Sequence, residues 1–257
     1  KQDPHDPDWI ARDRFVLSAG HESMLLYVLL FLSGRLNLDD LKEFRQLHSK
    51  TPGHPEVEIS GVEATTGPLG QGVGMATGMA LAEIILDSLF NKNGFNYLNH
   101  FTYVLASDGD LQEPVALGSA ALAAHWRLAK LIMFYDSNKA QISGQTNRSE
   151  STDIATVFEG FGWHIQTIDG HDHQAIREAI QKAQIIDRPS IIIGQTVMAK
   201  GTASMEGDHN THGSPLPQDE IDASKELLGL PPESFFIPEK IKKYFQRGFL
   251  NLGNQVE

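Results

Sequence analysis

The sequence contains no cysteine among its 257 residues. This absence excludes disulfides and thiolate zinc sites, and it permits a reducing compartment. Long hydrophobic runs are also missing, since the longest fully apolar stretch, Met24 to Leu32, is far shorter than the ~20 residues that span a bilayer. That stretch predicts a buried helix, and we expect a cytoplasmic protein that does not bind membranes.

Positive charge is scarce. The chain carries 21 Lys and Arg against 33 Asp and Glu, which gives a formal net charge of −12. Nucleic acids are held by surfaces rich in Lys and Arg, so we expect no nucleic-acid partner. A phosphate-bearing ligand would need local compensation by a metal ion, backbone N–H groups or histidines.

The remaining sequence alternates predicted strands with predicted helices. Apolar runs predict strands at Phe101–Ala106, Leu131–Tyr135, Trp163–Ile168 and Ser190–Thr196. Helical periodicity predicts helices at Glu22–Leu32, Leu38–Leu47, Val73–Phe90, Glu113–Ala124, Ile154–Phe161, His173–Ile185, Pro217–Leu228 and Pro238–Phe245. This order indicates an α/β fold, a parallel β-sheet flanked by helices on both faces, and a single domain over residues 1–257.

Two predicted strands are each followed by an oxygen ligand. Asp108-Gly109 follows the first strand and Asn138 follows the second. The carboxyl ends of parallel strands share one edge of a sheet, where a carboxylate and a carboxamide could together bind Mg²⁺ or Ca²⁺. Gly109 would let the backbone approach a phosphate closely. Two ordinary turns between strand and helix explain these residues equally well.

A long loop between residues 48 and 74 is rich in Gly and Pro. Loops of this length within a compact domain are usually functional. Its segment 67–72 lacks the Lys-Ser/Thr of a P-loop, and no strand immediately precedes it, as a dinucleotide-binding fingerprint would require. The loop is therefore a candidate site of another kind.

Several histidines occupy Gly-rich loops or element ends rather than apolar faces: His21, His54, His209 and His212. A single loop histidine is more often solvated or a helix cap. The group together favours proton transfer or ligand binding, because the unperturbed pKa of histidine lies near neutrality.

Long ordered motifs then resemble the transketolase family. They lie at residues 13–21, 44–56, 61–72, 108–113, 135–139, 161–164 and 209–213. The resemblance covers about residues 7–245 and implies the thiamine-diphosphate-binding fold. It further implies an enzyme that transfers a two-carbon ketol unit from a ketose phosphate to an aldose phosphate.

The resemblance also implies a metal site and a cofactor site. Asp108, Asn138 and the backbone carbonyl of Ala140 match the ligands of Mg²⁺ or Ca²⁺. The residues that match positions around thiamine diphosphate are His21, Gly67, Pro68, Leu69, Ser107, Asp108, Gly109, Glu113, Asn138 and His209.

Three histidines match the family's catalytic positions. His21 corresponds to a group near the diphosphate, His54 to a contact with sugar hydroxyls, and His209 to a residue between cofactor and donor substrate. Glu113 corresponds to an acid in a carboxylate network between subunits.

The chain departs from the family pattern at Ser107, Pro114 and Ser137. Ser107 replaces a glycine that runs close to the phosphate, so it either crowds the diphosphate or adds a hydrogen bond to it. These departures leave open a degenerate, non-catalytic cofactor-binding or regulatory subunit. A formaldehyde-using ketolase of the same family is a further alternative.

The pyrimidine-binding and C-terminal domains of the family lie outside these 257 residues. In the family, the pyrimidine-binding domain supplies the glutamate that activates the cofactor across a subunit interface. We therefore expect little or no turnover from this chain alone. Activity on sugar phosphates is expected from a homodimer or from a complex with a pyrimidine-binding-domain subunit.

Overall fold

The strands are short, from two to seven residues, in a computed structural model that describes residues 1, 2, 6 and 8–245. They are β1 (Arg14–Leu17), β2 (Thr102–Ser107), β3 (Leu131–Ser137), β4 (Ala140–Gln141), β5 (Gly144–Gln145), β6 (His164–Asp169) and β7 (Ser190–Gln195). Five of them form one sheet in the order β1-β2-β3-β7-β6, and all its pairings are parallel. Strands β4 and β5 form a separate antiparallel pair.

The helices connect these strands. They are α1 (Ser23–Leu32), α2 (Leu38–Lys42), α3 (Gln71–Phe90), α4 (Asp108–Leu111), α5 (Pro114–His125), α6 (Ile154–Phe161), α7 (His173–Ala183) and α8 (Gln218–Leu227). Residues 239–245 are also helical. Asp153 and Asp172 cap α6 and α7 by accepting backbone N–H groups, and Pro114 is the first residue of α5, where its missing N–H costs no helical bond.

Side chains that alternate along the strands pack against helices on both faces of the sheet. Met133 of β3 packs on one face with α3, α5 and α6. The next residue back, Ile132, packs on the opposite face with α7, and Leu17 of β1 packs there with α1. The period of two in a strand accounts for this division. The predicted parallel sheet with helices on both faces is thus confirmed.

The structure corrects two element predictions. Strand β1 was not predicted, because four residues at the sheet edge give too short a pattern to separate from a loop. Helix α2 ends at Lys42 rather than at Leu47. The chain turns there with Arg45 at φ +62°, and the Leu47 side chain is 86 % exposed, so the helical spacing of Leu47 does not correspond to burial.

Helix α3 is long and apolar enough, by length and composition alone, to cross a bilayer; no other helix of the described ranges is. In this structure its inner side packs against β1, β2 and α5. It also carries Glu83, 1 % exposed, whose carboxylate accepts a hydrogen bond of 2.5 Å from the Lys130 ammonium. Burial raises the pKa of Glu83, and the contact with Lys130 opposes that rise.

Replacing Phe158 by alanine should test the packing of the α6 face. Phe158 is fully buried, and its ring lies edge-on to Trp163 with 5.1 Å between centroids. We expect Phe158→Ala to lower the unfolding free energy by about 3–5 kcal/mol, because the cavity cannot collapse fully. Urea unfolding measures this loss. Leu122→Ala, at a 47 % exposed position on α5, serves as control and should change it far less.

Candidate cofactor-binding site

A cavity of about 1650 Å³ opens at the carboxyl edge of the sheet. Most of the predicted site residues line it: His21, His54, Gly67, Leu69, Ser107, Asp108, Gly109, Glu113, Asn138 and Ala140. Within the described part of the chain, Pro68 and His209 are the two predicted site residues that lie outside this lining. The parallel strands therefore bring the ends of β2 and β3 to one cavity, as the sequence predicted.

Asp108 lies at the floor of this cavity, where it is 8 % exposed. Its Oδ1 accepts a hydrogen bond of 2.6 Å from the Tyr135 hydroxyl, and its Oδ2 accepts one of 3.0 Å from the Lys139 backbone N–H. Burial raises the pKa of Asp108 although both hydrogen bonds favour the charged form. A nearby cation would offset this cost of burial.

The carboxamide of Asn138 is oriented by its neighbours. Its Nδ2 donates to Asp136 Oδ2 at 2.9 Å, and its Oδ1 accepts from the Ala140 N–H at 2.9 Å. The Thr196 hydroxyl in turn donates to the other oxygen of Asp136. Asp136 therefore fixes which end of the carboxamide faces Ala140, a positioning role that the sequence interpretation missed. Its only sequence signal was its place in the same strand-end triplet as Asn138.

These oxygens fit a hard divalent cation. Asp108, Asn138 and Ala140 line the same cavity, and each carboxylate or carbonyl oxygen keeps a lone pair beyond its present hydrogen bond. Among the described residues, no group of three or more His, Cys, Asp or Glu could hold a metal ion. A cation here would therefore take one carboxylate, amide and carbonyl oxygens, and oxygens from a phosphate or water, as Mg²⁺ does.

The Gly-rich loop reaches the same cavity through close backbone approaches. A Cβ on Gly67, at φ +146°, would lie 3.2 Å from the His54 ring, and a Cβ on Gly109 would lie 2.9 Å from Leu69 Cδ1. A Cβ on Gly20 would lie 2.7 Å from the backbone nitrogen of Gly67. Gly20 therefore has no room for a side chain against the loop backbone, and the positive φ of Gly67 favours glycine there.

Histidine rings form one wall. His21 faces His212 with 5.0 Å between ring centroids. Burial lowers the pKa of both rings, and for His21 the neighbouring His212 lowers it further. Both rings therefore favour the neutral form at neutral pH, in which one nitrogen donates and the other accepts. His212 lines the cavity as well; it belongs to the group of loop histidines noted in the sequence, although the family resemblance gave it no site position.

His54 and His209 differ in placement. The loop before His54 is held by α1, since the Tyr27 hydroxyl donates to the carbonyls of Pro52 and His54 at 2.8 and 3.2 Å. His209 begins a short 3₁₀ turn, and its side chain is 44 % exposed. Its Nδ1 lies 3.7 Å from Oδ1 of the neighbouring Asp208. In the spacing His-x-x-His, the second histidine faces the cavity, and sequence alone does not distinguish the two.

Glu22 adds a further carboxyl group to the lining. Burial raises its pKa to about 8, and repulsion from Asp136 and Asp110 adds to the rise. The acidic side chains of Glu22, Asp108 and Asp136 thus line the cavity, and the buried Asp110 lies close enough to Glu22 to raise its pKa. The local negative charge favours a cation over a free anion.

Comparisons with known proteins agree with this geometry. Residues 1–257 match the family model for the transketolase thiamine diphosphate binding domain. The chain is 48 % identical over 241 residues to transketolase 2 of Aliivibrio fischeri, covering 93 % of this chain and 36 % of that protein. It is 46 % identical over 257 residues to the transketolase of Staphylococcus aureus, covering 99 % and 39 % respectively.

Solved structures give the same result. The transketolase of Campylobacter jejuni matches with a TM-score of 0.96 and 42 % identity, over 100 % of this chain and 40 % of that one. A Pichia stipitis transketolase in complex with sedoheptulose-7-phosphate matches with a TM-score of 0.96 and 40 % identity, over 99 % and 38 %. The chain therefore spans well under half the length of these relatives.

The raised pKa of Glu22 gives a pH-dependent prediction. Between pH 4.5 and about 8 the folded state holds this proton more tightly than the unfolded chain does, so stability falls as pH rises through that window. Glu22→Gln removes the free-energy cost of ionising this buried carboxyl group. We expect this variant to unfold with ~1–2 kcal/mol more free energy than wild type at about pH 9, and to lose the advantage near pH 4.5.

Urea titrations at the two pH values measure the difference. Glu58→Gln, at an exposed position, serves as control and should show no such pH-dependent gain. Equal stability of Glu22→Gln and wild type at both pH values would contradict the raised pKa of Glu22.

Proposed function

The chain belongs to the transketolase family, and we propose that it is the cofactor-binding part of an enzyme that transfers a two-carbon ketol unit between sugar phosphates. The observation that carries this proposal is the convergence of Asp108, Asn138 and Ala140 with the loop 67–70 and His21 around one cavity. One wall of the cavity supplies oxygen ligands for a cation. A second wall is the backbone of the Gly-rich loop, and a third carries neutral imidazoles. A cation and nearby backbone N–H groups suit a diphosphate, and neutral imidazoles suit hydrogen bonds to the reacting groups.

Each side chain has a specific task in the proposal. Asp108, Asn138 and the Ala140 carbonyl hold Mg²⁺ or Ca²⁺, and Tyr135 and Asp136 orient the first two through hydrogen bonds of 2.6 and 2.9 Å. When bound, thiamine diphosphate supplies the carbon nucleophile that accepts the two-carbon unit. The chain contributes orientation and charge compensation.

The histidines handle protons. Burial keeps the pKa of His21 and His212 low, so both rings can accept or donate a hydrogen bond without carrying charge. His54, on the loop that α1 supports, faces the same cavity and is proposed to contact sugar hydroxyls. His209 stays a prediction for the donor side.

Sugar phosphates are the proposed substrates, because structures of the Pichia stipitis transketolase were solved with sedoheptulose-7-phosphate and, for a mutant, with xylulose-5-phosphate. We propose that the active form is a homodimer or a complex with a pyrimidine-binding-domain subunit. Ser107 and Pro114 do not argue against a catalytic role here, since the Ser107 hydroxyl donates to Asp110 at 3.0 Å and Pro114 begins α5.

Removing either side-chain metal ligand should test the cofactor site. We expect Asp108→Ala and Asn138→Ala each to weaken Mg²⁺-dependent binding of thiamine diphosphate by tenfold or more, because a lost ligand leaves the diphosphate charge less compensated. Calorimetry with saturating Mg²⁺, in the presence of a pyrimidine-domain partner, measures the affinity. Asp169→Ala, at the end of β6 and outside the cavity lining, is the matched control and should bind as wild type does.

Activity is tested in the same complex. We expect transfer from a ketose phosphate to an aldose phosphate with wild type and the Asp169→Ala variant, and loss with the two ligand variants. Cofactor binding without transfer in every complex would favour a non-catalytic subunit. Transfer to formaldehyde alone would favour the formaldehyde-using ketolase. Absence of cofactor binding by wild type would contradict the proposed function itself.

A further inference from the structure

Asp110 is a fully buried carboxylate that lies beside the metal site but is not one of its ligands. It accepts hydrogen bonds from three separate segments of the chain. Its Oδ1 accepts from the Ser18 hydroxyl at 2.6 Å and from the Gly70 backbone N–H at 2.7 Å. Its Oδ2 accepts from the Ser107 N–H at 2.9 Å and from the Ser107 hydroxyl at 3.0 Å.

These segments are the end of β1, the end of β2 and the Gly-rich loop. Ser18 follows β1, Ser107 ends β2, and Gly70 ends the loop just before α3. Each donor is itself buried. One carboxylate therefore fixes how far the loop lies from the strand end that carries Asp108.

The opposite end of the loop is anchored separately. The Thr66 hydroxyl donates to the Leu17 carbonyl at 2.7 Å, a buried contact with β1. Between the two anchors lie residues 67–69, of which Gly67 and Leu69 line the cavity. Asp110 thus sets the position of the loop end nearest the oxygen ligands, and Thr66 sets the other.

Steric limits make the Gly70 contact specific. Gly70 has φ +79°, and a Cβ there would lie 2.7 Å from Glu113 Cβ and 3.3 Å from the Asp110 carbonyl oxygen. A side chain at position 70 is therefore excluded, and the loop keeps a glycine where its buried N–H meets Asp110. If Asp110 no longer accepts, the Gly70 N–H stays buried without a partner or the loop moves, and each outcome costs free energy.

We propose that Asp110 is a positioning residue for the cofactor loop, with Ser107 as its partner. The inference rests on the proposed function, because it assigns the loop 67–69 to thiamine diphosphate. It also accounts for the serine at position 107: the hydroxyl serves the Asp110 carboxylate rather than the diphosphate. Asp110 contacts neither the cation nor the substrate in this assignment, and it acts through the loop.

Asp110→Asn is the sharpest test. The carboxamide keeps one acceptor oxygen, but its NH₂ group must face either the Gly70 and Ser18 donors or the two Ser107 donors. In the complex used for wild type, we expect at least tenfold weaker thiamine diphosphate binding at saturating Mg²⁺, at a temperature where the variant is folded. Wild-type affinity for Asp110→Asn would overturn the proposal.

A matched control separates positioning from stability. Asp40 is the third residue of α2 and accepts from the Asn37 N–H at 2.8 Å, the same local arrangement that Asp110 has with Ser107 in α4. Asp40 lies outside the cavity lining. Asp40→Asn should lower stability with cofactor affinity unchanged. Equal losses of affinity in both variants would mean that Asp110 acts only through stability.

A second readout does not depend on the cofactor. In the cofactor-free chain, we expect the Gly70 amide to exchange its hydrogen at least tenfold faster in Asp110→Ala, which removes both carboxylate oxygens, than in wild type or Asp40→Asn. Unchanged exchange would overturn the positioning role even if affinity fell. If wild type binds no thiamine diphosphate, the proposed function fails, while the exchange result still decides whether Asp110 fixes the loop.

Ser107→Ala completes the set by removing one of the four donors. We expect an affinity loss smaller than that of Asp110→Asn. The double variant should lose little more than Asp110→Asn alone, because both changes disrupt one network. Fully additive losses would assign Ser107 a separate role at the diphosphate and remove it from the proposal.

Discussion

The parallel register of the sheet is the constraint on which the site depends. Because β1, β2, β3 and β7 all run in one direction, their carboxyl ends deliver polar residues to a single edge. Ser107 pairs in register with Asp136, and Asp136 pairs with Gly194. A shift by one residue would turn alternate side chains to the other face and separate Asp108 from Asn138. The apolar packing on both faces therefore fixes the site geometry as well as the fold.

The same edge concentrates negative charge in a chain of net charge −12. The acidic groups at this edge differ in how many protein donors they have. Asp110 has four protein donors, and Asp108 has two. Burial raises the pKa of Asp108 as well as that of Glu22, which its acidic neighbours help to raise to about 8. A divalent cation bound as proposed would offset this cost of burying negative charge. This gives cation and diphosphate a physical reason to bind together.

Much of this arrangement was predictable from sequence, and the exceptions have physical causes. Strong apolar runs fixed β2 and β3, so Asp108 and Asn138 were placed correctly at one edge. The edge strand β1 has only four residues, too few for a recognisable strand pattern. The contact of Ser18, which follows β1, with Asp110 could therefore not be predicted. The positioning roles of Asp110 and Asp136 are not predictable from the sequence, because a side chain that orients another follows no sequence motif. These roles depend on which atoms face each other across the edge of the sheet, and the three-dimensional structure is needed to show those contacts.

The effect of a departure from the family pattern also depends on the atoms that surround the residue. A serine in place of glycine at position 107 looks damaging when only the missing backbone freedom is considered. In the structure, Ser107 is extended at φ −112°, a conformation that any residue adopts, and it is 6 % exposed. Its hydroxyl and its N–H both meet Asp110, three residues later in the chain. Ser107 and Asp110 thus belong to one buried hydrogen-bond network, so the serine is compatible with an intact site.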